Sequence, residues 1–185
     1  LNRNAAFLWE IPSGKLAHSY RAHAQLTEAA FSPDGRWIAI ASRSLKLWDA
    51  TTGRSLTKVE APHTGPVRTV DFEPFTGPVN TLGNVQGNTP GNSFAGAYRF
   101  ATGGDDGLVK IWDWKPGQSP SLLRSIDAAP ASRVNAVRFS PDAKRILMAC
   151  DNGVGRVVEL AQSGDKDVVW KLDLPDSNVD FLAGE

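Results

Sequence analysis

Cysteine occurs once in the 185 residues, at Cys150. A single thiol excludes an intrachain disulfide framework and any zinc site built from several thiolates. It fits a reducing, intracellular setting, most simply the cytoplasm. Charge of one sign is missing too, since 20 basic residues balance 20 acidic ones for a formal net charge of +0. No basic field of the kind that holds nucleic acid or an anionic membrane dominates, so neither is expected as a partner. No run approaches the roughly 18 apolar residues of a membrane span, and the opening LNRNAAFLWE has no signal-peptide core. An initiator Met and any Asn-x-Ser/Thr acceptor are absent. A chain that opens at Leu1, within what reads as a strand, is expected to be a piece of a longer protein.

Histidine is nearly as scarce, with three residues. His18 and His23 stand five apart with no Cys or carboxylate at ligand spacing, so no metal site and no cofactor are expected. Cys150 closes the apolar run from Ile146 and reads as a small core residue, with no adjacent cation to activate its thiol. No 3.6-residue periodicity persists, which leaves little room for helix.

What is present repeats. FLWEIPSGKL, LKLWDATTGRSL, VKIWDWKPGQSPSLL and GRVVELAQSGDKDVVW align, with Val158 standing where the others carry Trp9, Trp48 and Trp112. The last three are each preceded by a second recurring phrase: LTEAAFSPDGRWIAIAS, VRTVDFEPF and VNAVRFSPDAKRILMAC. Trp9 to Trp48 is 39 residues, Trp112 to Val158 is 46, and Trp48 to Trp112 is 64 because of an insertion. Strand-like runs are short and are separated by turn signals such as Ser32-Pro33-Asp34-Gly35, an all-β pattern. Trp37 to Ala41 is apolar at every position, as in a strand whose sheet is covered on both faces. Within ATGGDDGLVKIWDW, Asp-Gly between two apolar runs marks a hairpin turn.

The paired phrases at this period resemble the WD-repeat β-propeller family over nearly the whole chain. The resemblance implies four-stranded antiparallel blades arranged as a partial or open propeller of about three and a half to four blades, or about fifteen strands. The blades divide as 6–20 (the end of a first blade), 21–60, 61–127, 128–174, and 175–185 as the start of another. A ring needs about four to eight blades, so the missing ones are expected from the parent chain. The third blade carries a Gly/Asn/Pro-rich insertion at 75–97 whose repeated Gly-Asn phrase has no Gly-Lys-Ser/Thr ending, so it reads as a surface loop rather than a phosphate cradle.

The same resemblance implies a structural tetrad of His63, Thr102, Asp106 and Trp112. Indole N–H would donate to the threonine hydroxyl, the hydroxyl to one imidazole nitrogen, and the other imidazole N–H to the aspartate. A nucleophilic triad from the same residue types is the alternative, but a hydroxyl already accepting from a buried indole is a poor nucleophile, and no catalytic residue is assigned. The second unit has no Thr or Asp at the tetrad offsets, and the fourth carries Met148 and Asn152 there. Partners of WD-repeat proteins often bind around the turns before the first strand and between the second and third. The matching positions are Thr27, Arg43, Arg68, Asp105 and Asn135, with Trp114 as a surface anchor. The expected function is a non-catalytic protein or peptide interaction scaffold. The alternative is a regulatory or sensor module in a multidomain signalling protein whose kinase, nucleotidase or protease lies elsewhere in the parent chain.

Overall fold

A computed structural model describes residues 4–21, 24–59, 62–75, 97–128, 131–160 and 169–173. Strands β1 (Ala5–Trp9) and β2 (Leu16–Arg21) form an antiparallel pair. The second sheet contains β3 (Glu28–Phe31), β4 (Trp37–Ala41), β5 (Leu45–Asp49) and β6 (Ser55–Val59). The third contains β7 (Val67–Phe72), β8 (Tyr98–Gly104), β9 (Leu108–Trp114) and β10 (Ser121–Asp127). The fourth contains β11 (Val134–Phe139), β12 (Arg145–Cys150), β13 (Val154–Glu159) and β14 (Val169–Asp173). Each is an antiparallel meander in chain order, and the assembly is a partial β-propeller. His23, most of the 75–97 insertion and the blade start expected at 175–185 lie outside the described residues.

Strand alternation explains how the sheets stack. In β4, Ile38 and Ile40 point to one face and pack with Tyr20 against the β1–β2 pair, joined by Ala6 and Leu8. Ala39 and Ala41 point to the other face, with Leu45 and Leu47 from β5, and meet Val67, Val70, Phe100, Trp112 and Trp114 of the third sheet. That sheet's opposite face, with Ala101, Val109 and Ile111, packs on Val137, Ile146, Met148 and Val158 of the fourth. Continuous apolarity in the sequence thus becomes two buried faces, each covered by a neighbour. Burying each large aliphatic side chain contributes roughly 1.5–3 kcal/mol.

Register shows the repeats to be superimposable. Trp48 stands opposite Ile38, Trp112 opposite Phe100 and Val158 opposite Ile146. Two residues further along, Ile40, Thr102 and Met148 occupy one equivalent position. The Ser-Pro-Asp turns match as well: Gly35 N–H donates to Ser32 O, and Ala143 N–H to Ser140 O, both at 2.8 Å. Gly35 has φ +71°, whereas Ala143 takes φ +56° with a Cβ in the way.

Neighbouring first strands are also joined by side chains that accept from the next sheet's backbone. Glu28 accepts from Val70 N–H at 2.9 Å, and Thr69 accepts from Val137 N–H at 3.2 Å. Glu28 and Thr69 are equivalent in register, opposite Ala41 and Gly103. Asp71 accepts from Phe139 N–H at 2.8 Å, and the second Glu28 oxygen accepts from Arg138 Nη2 at 2.5 Å. One carboxylate from the second sheet therefore contacts both the third and the fourth.

The sequence reading of Trp114 as a surface anchor is corrected here, because its ring is 1% exposed. Trp112 and Trp114 are two apart on β9, so both project to the face that packs on the second sheet. Trp114 stacks edge-on against Trp37 at 5.7 Å between centroids, and its indole N–H donates to Gln118 O at 3.0 Å.

Candidate functional site

Two groups of polar residues come together at the same end of the third sheet, one buried and one more exposed. The buried group begins with Trp112, whose Nε1–H donates to Thr102 Oγ1 at 2.9 Å. Thr102 Oγ1 lies 2.9 Å from His63 Nε2, and His63 Nδ1 lies 2.8 Å from Asp106 Oδ1. The aspartate also accepts from Thr64 N–H at 3.0 Å and Leu108 N–H at 3.2 Å. Burial holds His63 below its ordinary pKa, against the pull of Asp106. Burial also works to raise Asp106, but its N–H donors and His63 prevail and keep it below the usual carboxylate range. The charge state that satisfies every contact is a neutral imidazole with Nδ1–H donating to an ionised Asp106, leaving Nε2 to accept from Thr102.

Glycine makes the approach possible. A Cβ on Gly104 would meet His63 Cγ and Nδ1 at 2.5 Å, so the imidazole lies directly on the β8 backbone. Thr102 is 0% exposed and His63 3%, which leaves no path for a substrate to the hydroxyl. A hydroxyl that accepts from the indole and donates to the imidazole is committed on both sides. The arrangement can tie the turn between β8 and β9 to the segment entering β7.

The tetrad is not repeated in the second sheet. Ile40 stands where Thr102 does, so the Trp48 indole N–H is buried with no hydrogen-bond partner. In the fourth sheet Met148 and Val158 fill the Thr and Trp positions with apolar contacts instead.

The exposed group forms a rim of charge. Arg68, at the start of β7, donates through Nε and Nη2 to both oxygens of Asp105 in the β8–β9 turn, the second contact at 3.1 Å. The guanidinium of Arg133, just before β11, stands 3.7 Å from Asp105 and 4.0 Å from Asp151 in the β12–β13 turn. Asp151 also accepts from Ser132 Oγ at 2.5 Å and from Arg133 N–H at 3.0 Å, contacts that hold it below the usual carboxylate range. Arg43 is exposed in the β4–β5 turn, next to Ser42, whose carbonyl accepts from Val67 N–H at 2.7 Å. Thr27 donates its hydroxyl to Val67 O at 2.7 Å, and Asn135 is exposed at the start of β11.

Of the surface positions named from the sequence, Arg68 and Asp105 are thus an ion pair, Thr27 spans two sheets, and Arg43 and Asn135 point to solvent. Arg133 and Asp151 were missed. Asp151 follows Met148 by three residues, as Asp105 follows Thr102, an offset readable once the repeats are aligned. Arg133 has no such counterpart, because Pro66 fills its position in the third sheet.

Among the described residues no group of three or more His, Cys, Asp or Glu side chains could hold a metal ion, and no helix is long and apolar enough to cross a membrane.

Comparison with known proteins joins this geometry to a family. The profile of WD40, described as WD domain, G-beta repeat, matches residues 14–49 and 54–113. Transducin beta-like protein 3 of Bos taurus is 30% identical over 143 residues, covering 75% of this chain and 15% of that protein. WD repeat-containing protein 1 of Mus musculus is 28% identical over 183 residues, covering 82% and 29%. Angio-associated migratory cell protein of Homo sapiens is 26% identical over 146 residues, covering 66% and 33%. The chain therefore spans a third or less of the length of these relatives. The profile stops at residue 113, while the same meander continues through β11 to β14, where Val158 and Met148 replace the residues of the tetrad. Repeats of this kind generally serve as protein-interaction scaffolds, and the chain belongs to the WD40 repeat family.

Proposed function

We propose that this chain is a non-catalytic protein-interaction scaffold, part of a larger propeller that assembles protein or peptide partners. The observation that carries the proposal is the rim. Loops entering β7 and β11, and turns from the second, third and fourth sheets, bring Arg43, Arg68, Asp105, Arg133 and Asp151 to one end of a rigid sheet stack. Loops fixed by a scaffold are where binding residues concentrate. Thr27 and Asn135 belong to the same end. The tetrad of His63, Thr102, Asp106 and Trp112 serves rigidity in this reading, since its hydroxyl is sealed and committed. A reducing compartment of the cell suits the single, buried Cys150.

Affinity capture with quantitative mass spectrometry tests the proposal, comparing the wild-type chain with an Arg43→Ala/Arg133→Ala variant. Partners depleted from the rim variant alone support it. Identical partner sets from both, or turnover of an ester or phosphate panel by the purified chain, would overturn it.

A further inference from the structure

The arginines of the rim are not equivalent. Both carboxylate oxygens of Asp105 fill one fork of Arg68, which commits its Nε–H and one Nη2–H. Arg133 differs. Its side chain is 56% exposed, and its closest carboxylate atoms, at 3.7 and 4.0 Å, stand beyond hydrogen-bond distance. Asp105 and Asp151 therefore hold this guanidinium electrostatically while its N–H donors stay available. Arg43 is exposed and has no ion-pair partner among the described residues.

Charge decides what those donors fit. On the rim Arg43, Arg68 and Arg133 outnumber Asp105 and Asp151 by one positive charge. Beside the rim, Lys110 donates to Pro62 O at 2.7 Å, and Arg138 pairs with Glu28 while standing near Asp71. A dianionic phosphate would overcompensate and lie against two aspartates, whereas a single carboxylate neutralises the surplus. Planar guanidinium and carboxylate also match geometrically, with two parallel N–H···O bonds.

We infer that Arg133 is the rim's recognition residue, that it takes an Asp or Glu side chain of an acidic peptide segment in the partner protein, and that Arg43 supplies a second, longer-range attraction. This rests on the scaffold reading above and adds the partner's chemistry to it. Asp105 and Asp151 act as positioning residues for the guanidinium.

A phage-displayed library of random twelve-residue peptides, selected on the full 185-residue chain, tests the inference. Selected peptides are expected to share an Asp or Glu. Changing that residue to Asn or Gln, or Arg133→Ala in the chain, is expected to weaken binding at least tenfold. The two changes together should cost little more than either alone. Arg43→Ala should weaken binding by a smaller factor that shrinks as salt is raised, and Arg54→Ala, in the β5–β6 turn at the opposite end, should leave it unchanged. Rim-dependent peptides with no acidic residue would overturn the inference and leave the scaffold reading standing. So would tighter binding when phosphoserine replaces the acid. Peptides whose binding ignores Arg133, Arg43, Arg68 and Asn135 alike, or none selected, would overturn both.

Discussion

Asp106 Oδ1 lies 2.8 Å from His63 Nδ1, joining residues 43 positions apart and fastening the β8–β9 turn to the segment that enters β7. The carboxylate takes three donors in all, one imidazole and two backbone N–H groups. Asp106→Ala leaves all three without their acceptor. The expected loss is on the order of 1–3 kcal/mol, read as a lower melting temperature. Partner binding measured below the melt should be unchanged, and an equal loss of affinity would contradict a purely structural role.

Trp112 and Trp48 occupy equivalent positions with unequal partners. Trp112→Phe removes the donor to Thr102, while Trp48→Phe removes an N–H that is already buried without a partner. Both changes lose ring contacts, and they differ in that only Trp112 gives up a satisfied donor while Trp48 sheds an unsatisfied one. Chemical denaturation should show Trp112→Phe to be more destabilising by about 1 kcal/mol.

Ala143 sits at φ +56° in a turn whose counterpart uses Gly35 at φ +71°. A Cβ in the left-handed region costs roughly 1–2 kcal/mol, partly offset by the greater unfolded-state freedom of glycine. Ala143→Gly should therefore raise stability by a few tenths to about 1 kcal/mol. A lower melting temperature would show that the turn carries no strain.

Glu73 and His63 bend the pH profile of stability in opposite directions. Burial raises Glu73 from 4.5 to about 7 despite Arg99, whose Nη1 stands 3.4 Å away and whose Nε donates to Asp113 at 3.0 Å. The folded chain thus retains a proton that the unfolded chain releases, and this stability is complete below pH 4.5 and lost as pH rises through about 7. His63 is lowered, so its contribution is complete above about pH 6.5 and declines as pH falls toward its folded value. Glu73→Gln should match wild type near pH 5 and exceed it near pH 8.5 by something on the order of 2 kcal/mol. Parallel profiles for the two proteins would exclude Glu73 as the cause of alkaline loss.

Gly103 lies at the junction of the third and fourth sheets. A Cβ there would meet Val134 Cγ1 at 2.5 Å and Thr69 Cγ2 at 2.8 Å. Gly103→Ala must push these branched side chains apart, and overpacking of this kind costs typically 1–3 kcal/mol. Hydrogen exchange should show the loss of protection centred on β7, β8 and β11.

Much of the architecture is written in repeated words. The Trp9, Trp48 and Trp112 phrases, the Ser-Pro-Asp turns and the unbroken apolarity of Trp37 to Ala41 specify strands, turns and sheets covered on both faces, because these patterns act over a few residues. The tetrad was legible through the family resemblance, because Thr102, Asp106 and Trp112 keep that family's offsets within one hairpin. Trp114 was misread because its neighbours Asp113 and Lys115 suggest solvent, although its spacing of two from Trp112 already placed it on the buried face.

Local pattern thus determined the short strands and their turn chemistry, and the family resemblance it carries implied the four-stranded sheets and the tetrad. Tertiary packing decided how those strands pair their polar groups across sheets. Glu28 meets Arg138 from 110 positions away and Val70 from 42, and Arg133 gathers carboxylates from two different turns. No period in the sequence encodes such meetings. They exist because burying both faces of every sheet drives the meanders to stack, and stacking brings their first strands and turns side by side at the distances where charges and hydrogen bonds act.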